Sequence, residues 1–321
     1  MSTIWPAAVA VAFLLAPLPQ SPATLPPASA QAAPSQPAQE SPAYVPERVY
    51  DTRTRAFGDF ESMLASLARV DVVIVGEQHD DPNTHRLELA VLQGLRRRKV
   101  PVQVSLEMFE RDVQPAVDAY LAGGSSEAQF RDTSRPWPRY ATDYRPLVEI
   151  GKESGWPVVA ANVPRKYAAS IAKSGMAALG GLPPDERVLI AADLQCPLDG
   201  YFDRFVKTMG EHPGSNGGTA DPDQRAIVER YYQSQCAKDE TMAEAIATTV
   251  SRRNAGSVLV HFTGAFHADF GTGTVERVRR RRPGSRIAVV SMIPTEDLDA
   301  LAPAGDDLMR ADYLVFTVGK S

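Results

Sequence analysis

The chain carries one unit twice, at distant places, and that recurrence limits the folds open to it. Val70-Asp71-Val72-Val73-Ile74-Val75-Gly76-Glu77-Gln78-His79-Asp80 is a short apolar, β-branched run cut by a glycine and followed at once by acidic and imidazole side chains. Its length and composition predict a fully buried strand, with Gly76 permitting a sharp exit that presents polar groups at the carboxyl end. Ser257 to Asp269 has the same design, a strand followed by Gly264-Ala265-Phe266-His267. Two Gly-x-x-His units of this kind predict one shared site.

Between and around them, strand and helix patterns alternate. Apolar positions at helical spacing predict helices over 57–68, 82–98, 112–121, 143–154, 164–173 and 274–282. Strands are expected at Val70–Val75, Val100–Leu106, Trp156–Ala161, Arg286–Ile293 and Tyr313–Val318, with a weaker one at Val188–Ala192. Pro82 and Pro164 suit first helical turns. Arg135-Pro136-Trp137-Pro138-Arg139-Tyr140 reads as a loop, because each proline removes a donor and restricts its predecessor. The expected fold class is α/β, a three-layer arrangement of a mostly parallel sheet with helices on both faces. From about 180 to 253 the alternation lapses into a helical insert, with a Gly/Pro-rich loop over 209–223 and one or two helices over 224–253.

The ends and the charge bound the function. Ala7–Leu15 is an apolar core followed by Pro/Ala/Ser-rich sequence and a small-residue Ala28-Ser29-Ala30 site, which predicts an export signal over 1–30, although no Lys or Arg precedes Trp5. A flexible tether over 31–46 and a domain over 47–319 follow. No Cys lies near the signal, so the mature product is expected to be periplasmic or secreted, neither a lipoprotein nor membrane-spanning. Cys196 and Cys236 suit an oxidising compartment as a disulfide, the alternative being two buried thiols. The net charge of -5 argues against a nucleic-acid surface. The basic runs 96–99 and 277–282 fall at helix ends and read as solvated last turns.

Ligands of an open parallel sheet bind outside the carboxyl ends of its strands. Here those ends deliver Glu77 and His79, Glu107, Asn162 and Arg165, and His267. Any one of these could be a surface acid or a satisfied core histidine, but together they form an ionisable cluster. Two chemistries are open. His79, His267 and Glu107 could ligate a divalent transition metal, or His79 could act as a general base oriented by a glutamate, with Arg165 stabilising an anion. The sequence has no Gly-x-Ser-x-Gly elbow, P-loop or dinucleotide fingerprint.

In order, Gly76-Glu77-Gln78-His79-Asp80, Leu106-Glu107-Met108-Phe109, Ala161-Asn162-Val163-Pro164-Arg165, Gln235 to Ala243 and Gly264-Ala265-Phe266-His267 resemble the ChaN-like family of haem-binding, iron-regulated bacterial proteins. That family belongs to the wider group of erythromycin esterases and Tiki/TraB proteins. The resemblance, over Val49 to Gly319, implies haem as cofactor and partner and a role in haem or iron uptake, with a homodimer as a further expectation. In the esterase branch the residues matching Glu77, His79, Glu107 and His267 line the catalytic pocket, which keeps a hydrolase as the alternative. In the Tiki branch the Gly-x-x-His histidines and a glutamate are metal ligands. Tyr231, Tyr232 and His85 are the candidate haem ligands, since a phenolate or imidazole can bind ferric haem. Apolar walls for it would come from Phe202, Phe205, Met209 and Met242.

Overall fold

The computed structural model describes residues 46–211 and 222–319. The expected export signal and nearly all of the tether lie outside these residues. The strands are β1 (Glu47–Asp51), β2 (Ala56–Gly58), β3 (Val72–Glu77), β4 (Val102–Glu110), β5 (Val158–Asn162), β6 (Val258–Gly264), β7 (Ile287–Thr295) and β8 (Tyr313–Val318). The α-helices are α1 (Phe60–Leu67), α2 (Pro82–Arg97), α3 (Gln114–Leu121), α4 (Glu127–Ser134), α5 (Arg145–Ser154), α6 (Arg165–Ser174), α7 (Pro184–Arg187), α8 (Gly200–Glu211), α9 (Pro222–Arg252), α10 (Ala265–Ala268), α11 (Thr274–Arg281) and α12 (Asp307–Arg310).

Among the described residues the strands form one sheet in the order β2-β1-β8-β7-β3-β6-β4-β5. From β8 to β5 every neighbour is parallel, and β1 and β2 add an antiparallel edge. Alternation along the strands sorts the core into two layers. Val73, Val75, Val104, Leu106, Val260 and Val290 pack under α1, α2 and α5. Val72, Ile74, Leu259 and Val289 pack under α9 and α11 through Ala243, Ile246, Val250, Val275 and Val278. This is the expected three-layer α/β fold. The helical stretch over 180–253 reaches the sheet through α9, which supplies much of one layer.

Local chemistry explains the boundaries. The Asp81 side chain accepts from the Asn83 and Thr84 N–H groups at 2.7 and 3.1 Å and so caps α2, with Pro82 in its first turn. The expected helix at 57–68 begins only at Phe60, because Ala56–Gly58 is taken into the edge hairpin. Helix α4, absent from the sequence reading, starts at a capping box of Ser126 and Gln129.

Two expectations are corrected. Val188–Ala192 is not a strand, since the Arg187 guanidinium donates to the Ile190, Ala191 and Ala192 carbonyls and occupies the acceptors that a ladder would need. The 277–282 run is not a solvated turn. Arg277 is buried, and with Arg280 and Arg281 it surrounds the buried Glu240 of α9. The expected loop over 209–223 is helical through Glu211 and again from Pro222, and residues 212–221 lie outside the described chain.

Candidate functional site

The chain runs from β3 to β4, skipping a place that β6 later fills, and then returns past β3 to β7. Strand order therefore reverses around β3, and a crevice opens at the carboxyl ends of β3, β6 and β4. Glu77, Gly264 and Glu107 arrive there together.

The two glycines have a reason different from the expected turn. Gly76 lies inside β3, and a Cβ there would come within 3.0 Å of the Ala265 Cα, so its bareness lets α10 sit against the sheet. At Gly264 a Cβ would lie 2.7 Å from the His79 Nε2. Each Gly-x-x-His unit thus clears space for the other.

On the α2/α5 side, Glu77 is buried, and its Oε1 meets the His79 Nδ1 at 2.5 Å and accepts from the Tyr144 hydroxyl at 2.9 Å. Burial alone would raise the Glu77 carboxyl, yet the His79 contact, Glu88 and His85 hold it below its ordinary value. The His79 side chain remains 46% exposed, and its ring meets Trp137 edge-on at 5.1 Å. Burial opposes its charge, but Glu77 and Glu107 raise its pKa. The 135–140 loop closes over this side: Arg139 donates to the His79 carbonyl at 2.7 Å and pairs with the buried Asp143 at 2.6 Å, while Tyr140 enters the core.

On the α9 side, His267 is buried between two carboxylates. Its Nδ1 lies 2.7 Å from the Asp239 Oδ1 and its Nε2 3.4 Å from the Glu107 Oε1. Glu107 Oε2 accepts from the Thr263 hydroxyl at 2.6 Å and the Gly264 N–H at 2.8 Å. Asp239 accepts from the Tyr201 hydroxyl at 2.7 Å and the Thr274 hydroxyl at 2.9 Å. Burial penalises the imidazolium, but Glu107 and Asp239 outweigh it and push the His267 pKa up to about 10. Burial likewise works against both carboxylates, and the His267 charge holds Asp239 below its usual value and Glu107 well below. His267 is therefore a fixed cation at neutral pH. Below it, His261 is pushed down to about 4 by burial; its Nδ1 meets the Ser105 hydroxyl at 2.9 Å and its Nε2 has no hydrogen-bond partner among the described residues.

Of the residues expected here, the fold brings Glu77, His79, Glu107 and His267 to one edge. Arg165 stands aside, its side chain 68% exposed and paired with Glu110 at 3.1 Å. It lines, with Trp137, Asn162, Ala168 and Lys238, a neighbouring cleft of about 400 Å³. The expected metal trio of His79, His267 and Glu107 spans both sides of the edge. The Glu and His ligand atoms that gather within 4.8 Å of one another among the described residues are those of Glu77, His85 and Glu88.

The three candidate haem ligands separate by burial. Tyr232 is fully buried among Tyr201, Phe202 and Phe205 and donates to the Pro197 carbonyl at 2.7 Å; burial pushes its pKa up to about 12. His85 is buried, with Nδ1 3.0 Å from Glu88 and Nε2 3.1 Å from the His79 carbonyl. Neither can reach an iron without unpacking. Tyr231 is 47% exposed, one helical turn before Gln235, whose side-chain amide lies 3.1 Å from the His267 Nε2. Cys196 and Cys236 form a disulfide beside this aromatic cluster.

Sequence reasoning missed Asp239, Glu88, Tyr144 and Arg139 as parts of the site. The signal for two of them was present, since Glu88 and Asp239 occupy buried faces of α2 and α9, where an apolar residue is the default.

A model of the family described as haem-binding uptake, Tiki superfamily, ChaN, matches residues 63–278. The solved structure described as cofacial heme binding to ChaN of Campylobacter jejuni superposes with a TM-score of 0.59 at 16% identity, over 85% of this chain and 97% of that one. An erythromycin esterase mutant in its open conformation is more distant, with a TM-score of 0.42 at 12% identity over 85% of this chain and 83% of that one. Protein RETICULATA-RELATED 5, chloroplastic, of Arabidopsis thaliana is 24% identical over 293 residues. That match takes in 86% of this chain, which spans 38% of the relative's length.

Proposed function

Because this chain belongs to the haem-binding uptake family ChaN of the Tiki superfamily, we propose that it is an exported haem-binding protein serving haem or iron uptake. The observation that carries this reading is the family match over residues 63–278. The Cys196–Cys236 disulfide supports an oxidising compartment, and no helix among the described residues is long and apolar enough to cross a membrane.

The residues fit the group. Tyr231 offers a phenol that is free to turn outward, on the helix stripe that continues into Ser234 and Lys238. Those two line the 400 Å³ cleft together with Ala168, Ala169, Ala172 and Trp137. Small apolar side chains suit the flat face of a porphyrin, and Lys238 and Arg165 suit its carboxylates. Bound haem would supply an iron that accepts the Tyr231 oxygen. Hemin titration of the full chain should give a saturable Soret shift, weakened in Tyr231→Phe and kept in Tyr232→Phe. A titration curve no different from free hemin removes the reading. Light scattering with and without hemin reads whether two copies pair.

A second reading, a hydrolase, is favoured by one observation. The Glu77–His79 pair holds the His79 Nδ1 on a buried carboxylate while the ring, set between Trp137 and Gly264, stays half-exposed, an arrangement that suits a general base. An ester and peptide panel on wild type and His79→Ala tests it, and equal rates in both remove it.

A further inference from the structure

Under His79 lies a second cluster, which shares Glu77 with the Glu77–His79 pair and which haem binding does not use. Glu77, His85 and Glu88 come from the end of β3 and the buried face of α2, and each is almost fully buried. The His85 Nε2 lies 3.1 Å from the His79 carbonyl, an acceptor only, so that nitrogen carries the proton in the neutral ring. The other nitrogen, Nδ1, then turns a lone pair toward the Glu88 Oε2 at 3.0 Å and the Glu77 Oε2 at 3.8 Å. Three electron-rich atoms face one another away from water. Among the described residues no N–H or O–H group donates to the Glu77 Oε2 or the Glu88 Oε1 while both carboxyls are ionised. Such a group needs a compensating positive charge, supplied by a proton within the cluster or by a metal cation.

We propose that Glu77, His85 and Glu88 hold a divalent transition-metal cation, as one imidazole and two carboxylates. Ligand atoms at 2.0–2.2 Å from a tetrahedral centre are separated by about 3.3–3.6 Å; the 3.0 and 3.8 Å separations fall on either side of that range and all three atoms lie within 4.8 Å, so small side-chain shifts would complete the site. The surroundings are those of a built site. The His79 carbonyl fixes the His85 tautomer, and the Tyr144 ring stands edge-on to His85 at 5.0 Å. The Tyr144 hydroxyl and His79 hold the other Glu77 oxygen, so that carboxylate cannot rotate away. Three protein ligands leave a further coordination position open. Mixed nitrogen and oxygen donors without sulfur fit Zn²⁺, Mn²⁺ or Fe²⁺. Because Glu77 also binds His79, an ion here would act on the open side of the site through that carboxylate.

The competing arrangement needs no metal. A proton on Glu88, bonded to Glu77, would neutralise the same cluster, and burial with the Glu77 charge pushes the Glu88 carboxyl well up. The two are separated by metal analysis without hemin, so the outcome is independent of haem binding. Full chain is stripped with chelator, unfolded and refolded with Zn²⁺, Mn²⁺ or anaerobic Fe²⁺, and its metal content is measured by mass spectrometry. Co²⁺ serves as the spectroscopic probe. One equivalent per chain, ligand-field bands with Co²⁺ and a melting temperature lowered by EDTA are expected. Glu88→Gln and His85→Gln should each weaken binding on the order of 100-fold or more, while Arg165→Ala should keep it. Substoichiometric metal with all three ions, or undiminished binding in both variants, overturns the proposal. Should the variants fail to fold, wild type whose melting is indifferent to EDTA and whose metal content stays at background overturns it equally.

Discussion

His267→Gln separates a structural cation from a catalytic one. The imidazolium is enclosed by Asp239 at 2.7 Å and Glu107 at 3.4 Å, all three buried. Raising an imidazole from 6.5 to about 10 corresponds to about 5 kcal/mol favouring the charged form, a ceiling because both carboxylates share the interaction. Removing one partner of a buried ion pair costs about 3–5 kcal/mol, in agreement. The variant should therefore melt roughly 10 °C lower. The pH profile carries the sign. A group whose folded pKa is raised contributes fully below its unfolded value, so the His267 contribution is complete below 6.5 and is lost as pH rises through about 10. Glu107 and Asp239, held low, contribute above their ordinary values and lose that contribution in acid. Urea midpoints of wild type should fall between pH 7 and 10, whereas those of His267→Gln should fall less. In the variant both carboxylates lose their main cation, Asp239 keeping Arg277 and Glu107 keeping His79, and take up protons more readily, so its stability should rise relative to wild type as pH drops toward 5. Equal slopes in the two proteins from pH 7 to 10, or a loss under about 1 kcal/mol, would refute the account of His267 as a fixed buried cation.

Other contacts give further expectations. Gly76→Ala should destabilise by about 1–3 kcal/mol, because its Cβ meets the Ala265 backbone at 3.0 Å; denaturant unfolding checks this. Gly264→Ala meets only the His79 ring, at 2.7 Å, and should cost less stability while displacing that ring from Glu77, visible as an altered His79 titration by NMR. Replacing both Cys196 and Cys236 by Ser opens a loop of sequence separation 40 and should cost about 4 kcal/mol, read as a lower melting temperature without reductant. Glu240→Gln removes the buried anion shared by Arg277, Arg280 and Arg281, leaving Arg277 only Asp239, and should cost up to about 3–5 kcal/mol; an unchanged urea midpoint would refute this.

The legible part of this molecule was its periodicity. Strands β3, β6, β7 and β8 and helices α2, α5 and α11 follow from apolar spacing and turn residues, and so does their parallel alternation. The edge hairpin of β1 and β2 escaped because three-residue Ala56–Gly58 owes its form to pairing with β1. The false strand at Val188–Ala192 had the composition of one, but its carbonyls are claimed by Arg187, five or fewer residues away. At the site, strand ends were readable because the carboxyl edge collects them. Glu88 and Asp239 left a trace only as acids on the buried faces of α2 and α9, and Tyr144, at a helix start, left none, because its role comes from what packs opposite.

By itself, the sequence determined that two Gly-x-x-His units close a parallel sheet and that Glu77, His79, Glu107 and His267 share its edge. This much is local, a matter of which polar residues interrupt or follow the apolar run of each strand, although β4 continues past Glu107 to Glu110. Tertiary structure alone decided that the edge is two-sided. Side-chain alternation sends Glu77 toward α2 and α5 and Glu107 toward α9, so His79 becomes an open imidazole on one buried acid while His267 becomes a sealed cation between two. Two histidines in equivalent motifs differ because burial and partner charge, which set protonation, belong to the packed molecule rather than to the motif.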